Sequence, residues 1–312
     1  MLNNFRQNKS RHSISIIIPT FNDEDFLMET LSSVFNQTVL PNEIVIIDDG
    51  SREKYAEKFI KTFSDNESIK IQLRRILNSG PSVARNLGAK LSTSDFLIFL
   101  DSDDLLMKDA IEKFHSKIIN FDFNKFWGVH GGISFVGSTK KFIPIKELKL
   151  DQSTLDKIGK NKILEGLSSF LFSKNSFNEI KGFRENLNHN EDFDIVLRLS
   201  QKKALKINEN IVVKIRKRKG SLSNKNALDA YLGVKKFINI ALKESLLSTE
   251  EILIRKKENC LIFAKALIKQ GLINNSMKKF NEAFKYSKPL SLKEGAVYYI
   301  SAIYVKILSF FA

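Results

Sequence analysis

The chain has 312 residues, of which 43% are hydrophobic, and this is enough for one large α/β domain with a smaller appendage. A single cysteine, Cys260, excludes a disulfide within the chain, and its apolar neighbours predict a buried thiol. The formal net charge of +15 arises after residue 200, because residues 1–200 carry 27 basic and 27 acidic residues, whereas residues 201–312 carry 23 and 8. The last third is therefore expected to meet something anionic, such as a membrane surface, nucleic acid or a phosphate-bearing substrate.

The first hundred residues alternate between two patterns. Short β-branched or apolar runs predict strands, and apolar residues at helical spacing predict helices between them. Strands are predicted over 13–18, 43–47, 69–73 and 96–100, and helices over 25–35, 55–63 and 82–91. Continuous apolar strands that alternate with helices are typical of a parallel sheet covered on both faces. In such sheets, ligands bind beyond the carboxyl ends of the strands.

The rest of the chain changes character twice. Residues 105–200 are mixed, with Gly131 and Gly132 predicted to separate a pair of strands. From Ala227 onward the pattern is helical and basic, so we predict a boundary near Asn224. The expected organisation is an N-terminal tail over 1–12, a main domain over 13–224 and a basic helical region over 225–312.

The sequence carries no obvious targeting signal. Residues 1–12 are polar and basic, and no uninterrupted apolar run has the length needed to span a bilayer. We therefore expect a cytoplasmic location.

Three acidic clusters lie where chemistry is expected. They are Asp48 with Asp49, the run Asp101 to Asp104, and Glu191 with Asp192 near Asp194. The first two follow predicted strands, where unpaired carboxylates are costly to bury. Oxygen ligands at this density suit Mg²⁺ or Mn²⁺, and Mg²⁺ often completes its shell with phosphate oxygens and water. A substrate that bears a diphosphate would fit such a site.

Each acidic cluster also has a purely structural interpretation. The run from Asp101 to Asp104 would equally serve as the cap and acidic first turn of a following helix. For the pair Glu191 and Asp192 taken alone, a solvated helix start is the favoured interpretation. These residues alone leave both interpretations open.

Five segments together identify a family. They resemble the family 2 glycosyltransferases in order and spacing, over roughly two-thirds of the chain. The segments are 15–38 (SIIIPTFNDEDFLMETLSSVFNQT), 43–51 (EIVIIDDGS), 78–104 (NSGPSVARNLGAKLSTSDFLIFLDSDD), 166–186 (GLSSFLFSKNSFNEIKGFREN) and 190–200 (NEDFDIVLRLS). The resemblance implies the GT-A fold, a Rossmann-like and mostly parallel α/β sheet flanked by helices, here with a helical C-terminal appendage.

The resemblance also implies how the donor is held. Asp49 is similar to the carboxylate that meets the nucleotide base, commonly uracil, and Arg85 lies in the segment that lines the diphosphate. The turn that resembles the nucleoside-binding turn contains Pro19, Thr20 and Asn22.

Metal and catalytic roles follow in the same way. Asp101 and Asp103 resemble the DxD pair that serves the ribose and a Mg²⁺ or Mn²⁺ ion, with Asp103 as the metal ligand and Asp104 beside it. Asp192 matches the family's general base, and Glu191 precedes it. The implied activity is metal-dependent, inverting transfer of a sugar, expected from a UDP-sugar, to a hydroxyl of a glycan or lipid-linked glycan.

One segment departs from the family pattern. Relatives often carry a His two residues after an Arg, whereas the run here is Lys214-Ile-Arg216-Lys217-Arg218-Lys219. Arg218 or Lys219 would contact the diphosphate instead, and a solvated basic turn is an equal alternative.

Three other functions compete with the transferase. A non-catalytic module would bind a nucleotide-sugar or a partner through a decayed site, which the intact acidic residues disfavour. A nucleotidyltransferase shares the acidic metal chemistry, but the motif order favours the glycosyltransferase. A nucleic-acid binder would use the basic last third, which lacks a recognisable motif, and we expect no nucleic-acid partner.

The C-terminal region suggests a further partner. Residues 296–312 (AVYYISAIYVKILSFFA) combine tyrosines with aliphatic residues, as suits the boundary between headgroups and acyl chains. With the basic excess, this predicts peripheral contact with the inner face of a membrane. An ordinary core helix with solvated lysines is the equal alternative.

Overall fold

A computed structural model describes residues 12–63, 69–138, 141–142, 166–217 and 226–286. Its strands and helices in the first hundred residues confirm the predicted alternation, with bounds that differ by one or two residues. The predicted C-terminal tail, Arg218, Lys219 and the boundary near Asn224 lie outside the described residues.

Nine strands form one sheet in the order β3-β2-β1-β4-β8-β6-β9-β5, with β7 paired to β6. The strands are β1 (Ile14–Thr20), β2 (Glu43–Asp48), β3 (Lys70–Arg75), β4 (Phe96–Phe99), β5 (Leu105–Leu106), β6 (Phe126–Phe135), β7 (Lys141–Phe142), β8 (Phe170–Ser173) and β9 (Ala204–Ile215).

Nine helices accompany the sheet over the described part of the chain. They are α1 (Glu24–Phe35), α2 (Tyr55–Lys61), α3 (Pro81–Leu91), α4 (Ala110–Ile118), α5 (Lys174–Glu179), α6 (Glu191–Ser200), α7 (Ala227–Lys243), α8 (Thr249–Lys269) and α9 (Ile273–Tyr286). A 3-10 turn over Leu167–Ser169 leads into β8.

The two halves of the sheet differ in strand direction. Strands β3, β2, β1 and β4 are parallel neighbours, as the alternation predicts. Beyond β4, β8 is antiparallel to both β4 and β6, and only β6 and β9 return to parallel pairing. The α/β fold with flanking helices is confirmed, and the sheet is mixed in its second half. Gly131 and Gly132 do not separate two strands but lie within β6, where the register against β9 is irregular.

Two hydrophobic clusters cover the two faces of the sheet. Alternate residues of each buried strand point to opposite faces, so Ile16 and Ile18 join one cluster while Ile17 joins the other. Strands buried on both faces explain the continuous apolar runs in the sequence.

The amino end of the parallel sheet holds a buried carboxylate, Glu43. Its Oε1 accepts hydrogen bonds from the hydroxyl groups of Ser15 and Ser92 and from the backbone amides of Thr93 and Ser94. Burial by itself would raise the pKa of Glu43, but these hydrogen bonds outweigh it and lower the pKa to about 2. The carboxylate therefore ties β1 and β2 to the segment between α3 and β4.

The C-terminal helices pack directly on α6. Phe237 of α7 meets Phe193 of α6 with ring centroids 5.4 Å apart, and both belong to the core cluster that reaches the sheet. Gly233 of α7 lies so close to His189 that an added Cβ would stand 2.4 Å from the imidazole. Cys260 of α8 is buried, as its sequence context predicts. Across the described ranges, none of the helices combines the length and apolar character that crossing a bilayer requires.

Candidate active site

Two turns meet at the carboxyl ends of β1 and β2. The Asp49 amide donates to the Thr20 carbonyl at 2.9 Å, and the Asn22 amide donates to Ser51 Oγ at 2.9 Å. Asn22 adopts a left-handed conformation with φ of 52°, and its side-chain oxygen accepts from the Arg52 amide. The predicted nucleoside turn, which begins at the partly exposed Pro19, is therefore held rigidly against the segment that carries Asp49.

Asp49 is buried and already has partners. Its two oxygens accept from the backbone amides of Ser79 and Gly80 at 2.7 and 2.9 Å. An ionised carboxylate has about four acceptor positions, so an N–H of a base could still bind. Asp49 thus shapes the loop before α3, a role that the sequence alone did not indicate.

Arg85 joins the two sides of the site. Its Nη2 donates to Asp101 Oδ1 at 2.8 Å, and its Nη1 donates to Glu191 Oε1 at 3.2 Å. Burial would lower the pKa of Arg85, but the charges of Asp101 and Glu191 outweigh it and raise the pKa. Arg85 Nε and Ser82 Oγ are buried on the same helix with no hydrogen-bond partner among the described residues. Unmet donors of this kind suit an anionic ligand such as a diphosphate.

Within the acidic run, Asp104 faces inward. Its Oδ2 accepts from Ser168 Oγ at 2.7 Å, and its Oδ1 accepts from the Arg216 amide at 3.1 Å. Burial and the nearby charges of Asp101 and Asp103 raise the pKa of Asp104 to about 8. Asp104 therefore anchors the run to two other segments, while Asp101 and Asp103 keep partial exposure.

Glu191 and Asp192 begin α6 beside Arg85. Burial and the charge of Glu191 raise the pKa of Asp192 to about 6, against the lowering effect of the Phe193 amide and Arg85. A carboxylate with such a pKa remains mostly ionised at neutral pH and is basic enough to accept a proton from a reacting hydroxyl.

Asp194 has a different environment from Asp192, although only two residues separate them. It is fully buried and accepts from Arg184 Nε at 3.1 Å and Arg198 Nε at 2.7 Å. These ion pairs fix the start of α6, so Asp194 is a structural residue.

The residues around the acidic run fit a divalent cation only in part. Nowhere in the described ranges do three or more His, Cys, Asp or Glu residues come together as a metal-binding group. The negative charges of Asp101 and Asp103 nevertheless contribute to the raised pKa of Asp104, so these carboxylates repel one another. One or two carboxylates with phosphate oxygens and water match the preference of Mg²⁺, so the donor set fits an ion that arrives with a diphosphate.

Sequence reasoning missed two residues that build this site. Ser168 of the 3-10 turn accepts from the Asp101 amide at 3.1 Å and donates to Asp104. Arg216 donates from Nε to the Asp103 carbonyl at 3.2 Å and packs over the Phe26 ring. A serine in an apolar segment gives no local signal, but Arg216 lay in the basic run after β9 that the family pattern had already marked.

Comparisons with known proteins identify the family of this chain. The model of the family described as Glycosyl transferase family 2 matches residues 15–180. An uncharacterized glycosyltransferase of Haemophilus influenzae is 31% identical over 207 residues, which are 63% of this chain and 66% of the relative. TarP of Staphylococcus aureus, a poly(ribitol-phosphate) beta-N-acetylglucosaminyltransferase, is 42% identical over 107 residues, which are 33% of this chain and 32% of TarP.

A solved structure supports the fold. The crystal structure of S. aureus TarS 1-349 in complex with UDP-GlcNAc aligns with a TM-score of 0.61 at 20% identity and covers 87% of this chain and 81% of that one. The chain spans only part of the curated relatives that it matches, 66% and 32% of the two named above. The family match extends over more than half of the 312 residues, and this chain is a member of glycosyltransferase family 2.

Proposed function

We propose that this glycosyltransferase moves a sugar from a UDP-sugar to an acceptor hydroxyl with inversion, using Asp192 as general base. The observation that carries the proposal is the bridge from Arg85 to Asp101 on one side and Glu191 on the other. This bridge links the run that carries the predicted donor-side residues to Glu191, which immediately precedes the predicted base. Intact carboxylates with unmet donors beside them favour catalysis over a decayed binding site.

The reaction is a single displacement. Asp192 takes the proton of the acceptor hydroxyl while that oxygen attacks the anomeric carbon and the bond from this carbon to the diphosphate oxygen breaks. Attack from the face opposite the leaving group inverts the anomeric configuration. Arg85, whose Nε has no hydrogen-bond partner among the described residues, would stabilise the negative charge that gathers on the departing diphosphate.

Asp103 would hold a Mg²⁺ or Mn²⁺ ion, which when bound would neutralise charge on the diphosphate. Asp101 would then serve the ribose, as its partial exposure and its link to Arg85 allow. Asp49 would set the choice of base, while Pro19, Thr20 and Asn22 shape the nucleoside turn.

The acceptor is proposed to be a glycan or lipid-linked glycan of the cell envelope. The named activity of TarP, on poly(ribitol-phosphate), supports an envelope polymer. The excess of basic residues over 201–312, 23 against 8 acidic residues, supports peripheral contact with the inner membrane surface. Co-sedimentation with anionic vesicles, for the full chain and for one shortened to end at Ser291, tests that contact. The membrane proposal fails if neither sediments or if both sediment equally.

The function is tested by mass-detected transfer from a panel of nucleotide-sugars with Mn²⁺. We expect transfer from a UDP-sugar, a product of inverted configuration by NMR, and loss of turnover after verified metal removal. Full activity in excess chelator would remove the metal from the mechanism. Stabilisation by UDP-sugars without transfer to any acceptor would instead support a non-catalytic binding module.

A further inference from the structure

A cavity of about 590 Å³ lies between α7 and α8, apart from the acidic site described above. One wall is the first two turns of α7, and the opposite wall is a face of α8 from Arg255 to Lys269, followed by Gln270. Asn190, the residue immediately before α6, also lines it. The volume is within the usual range for small-molecule sites.

Arg255 lines this cavity and carries an unmet donor. The residue is 6% exposed, its guanidinium lies 4.1 Å above the Phe193 ring, and its Nε is 3.1 Å from Glu251 Oε1. Its Nη2 is buried with no hydrogen-bond partner in the part of the chain that the structure describes. A buried guanidinium that retains a free N–H is costly without an acceptor, so the arrangement favours an anionic group.

The other lining residues define the ligand more closely. Lys265 and Lys269 add two exposed cations, against one carboxylate, Glu258. Tyr231 and Phe263 stack at 4.6 Å and provide an aromatic surface. Excess positive charge beside an aromatic surface suits a phosphate joined to a sugar or polyol, because the rings contact the carbon skeleton while the cations hold the phosphate.

The cavity lies beside the start of α6, the helix whose second residue is the proposed base. Asn190 and Phe193 flank Glu191 and Asp192 in the chain, and both touch the cavity or its arginine. The close approach of Gly233 to His189 fixes α7 against the same loop. A ligand in the cavity would therefore lie next to the start of α6.

We propose that this cavity binds a phosphate group of a phosphate-bearing acceptor, so that the acceptor chain passes from the cavity to Asp192. The inference rests on the proposed function for its acceptor, and the cavity's affinity for phosphate is independent of catalysis. We assign the phosphate to the acceptor polymer and not to a membrane lipid, because the cavity has an aromatic surface suited to a polyol and is lined by Asn190, two residues before the proposed base.

The experiment measures binding of a fluorescent ribitol-phosphate hexamer to the full chain by anisotropy, in saturating UDP so that the donor site is filled. We expect saturable binding that Lys265→Gln/Lys269→Gln weakens on the order of tenfold and that Arg255→Met removes. The matched control is Lys243→Gln/Lys278→Gln, which removes the same charge from exposed positions outside the cavity. The control should bind within about twofold of wild type.

Several results would overturn the proposal. They are absence of hexamer binding by the wild type, equal loss in both double variants, and preferential binding of the same cavity to phospholipid vesicles. If Arg255→Met does not fold, the lysine pair decides, because both side chains are exposed. Donor binding, followed separately by thermal shift with UDP-sugars, distinguishes failure of the proposed function from failure of the cavity.

Discussion

Carboxylates at the two ends of the parallel sheet have pKa values that are shifted in opposite directions. At the amino end, hydroxyls and amides surround Glu43 and lower its pKa to about 2. At the carboxyl end, burial and neighbouring acids raise the pKa of Asp104 to about 8 and of Asp192 to about 6. The strands between the two ends are the same, so the difference comes from the polar groups that the adjoining loops supply.

This contrast distinguishes carboxylates that stabilise the fold from carboxylates that are available for chemistry. A carboxylate with enough donors stabilises the fold and has little left to offer a substrate. A carboxylate with too few donors costs stability and is ready to bind a cation or a proton. We therefore expect changes at the amino end to alter unfolding and changes at the carboxyl end to alter turnover.

The largest effect is expected at Asp192. Asp192→Asn removes the proton acceptor and should lower turnover on the order of 10²- to 10⁴-fold, with donor affinity nearly unchanged. Steady-state kinetics and titration with UDP measure the two effects. Near-normal turnover would transfer the role of base to Glu191.

Glu43→Gln should lower the stability of the fold and leave turnover nearly unchanged. Because the folded pKa lies below the usual 4.5, the ionised group contributes stability above pH 4.5 that is lost as the pH falls toward 2. The shift corresponds to about 3 kcal/mol of unfolding free energy at neutral pH. Urea unfolding at pH 7 and pH 3 measures it, and the variant should approach wild type at the lower pH. An equal difference at both values would contradict the charge argument.

Asp49 accepts two backbone hydrogen bonds and is also proposed to contact the nucleotide base. Its substitution should therefore affect both the fold and nucleotide binding. Asp49→Ala removes the acceptor for the Ser79 and Gly80 amides and the proposed contact to the base. We expect UDP affinity to fall about tenfold or more, and metal affinity to fall less. Calorimetry with UDP and with Mn²⁺ separates them. Unchanged affinity for every nucleoside diphosphate would disprove the assignment.

The mildest test changes only the pH. Since Asp192 must be ionised to accept a proton and its pKa is about 6, kcat/KM should level off above pH 6 and fall about tenfold per unit well below it. The decline should be absent from the residual activity of Asp192→Asn. A flat wild-type profile down to pH 5 would mean that Asp192 titrates lower or is not the base.

The sequence alone predicted the strands and helices of the parallel half of the sheet to within one or two residues. It predicted the second half of the sheet less completely. Apolar strands and intervening helices are local patterns, so β1 to β4 and the acidic residues at their ends were accessible. The insertion of β8 between β4 and β6 is a long-range pairing that no local pattern encodes. Nor could the run Asp101 to Asp104 reveal which member faces inward, because Ser168 and Arg216 decide that from distant segments.

Arg85 has a consequence for how this sequence can change over evolutionary time. Its guanidinium reaches Asp101 and Glu191 with two separate nitrogens, which a planar fork permits. Lysine keeps the charge but concentrates it on one atom at the end of a flexible stem, so it cannot reproduce the planar, two-sided contact. Replacement of Arg85 by lysine is therefore not a neutral substitution. We expect the residue at position 85 to change only when Asp101 and Glu191 change as well.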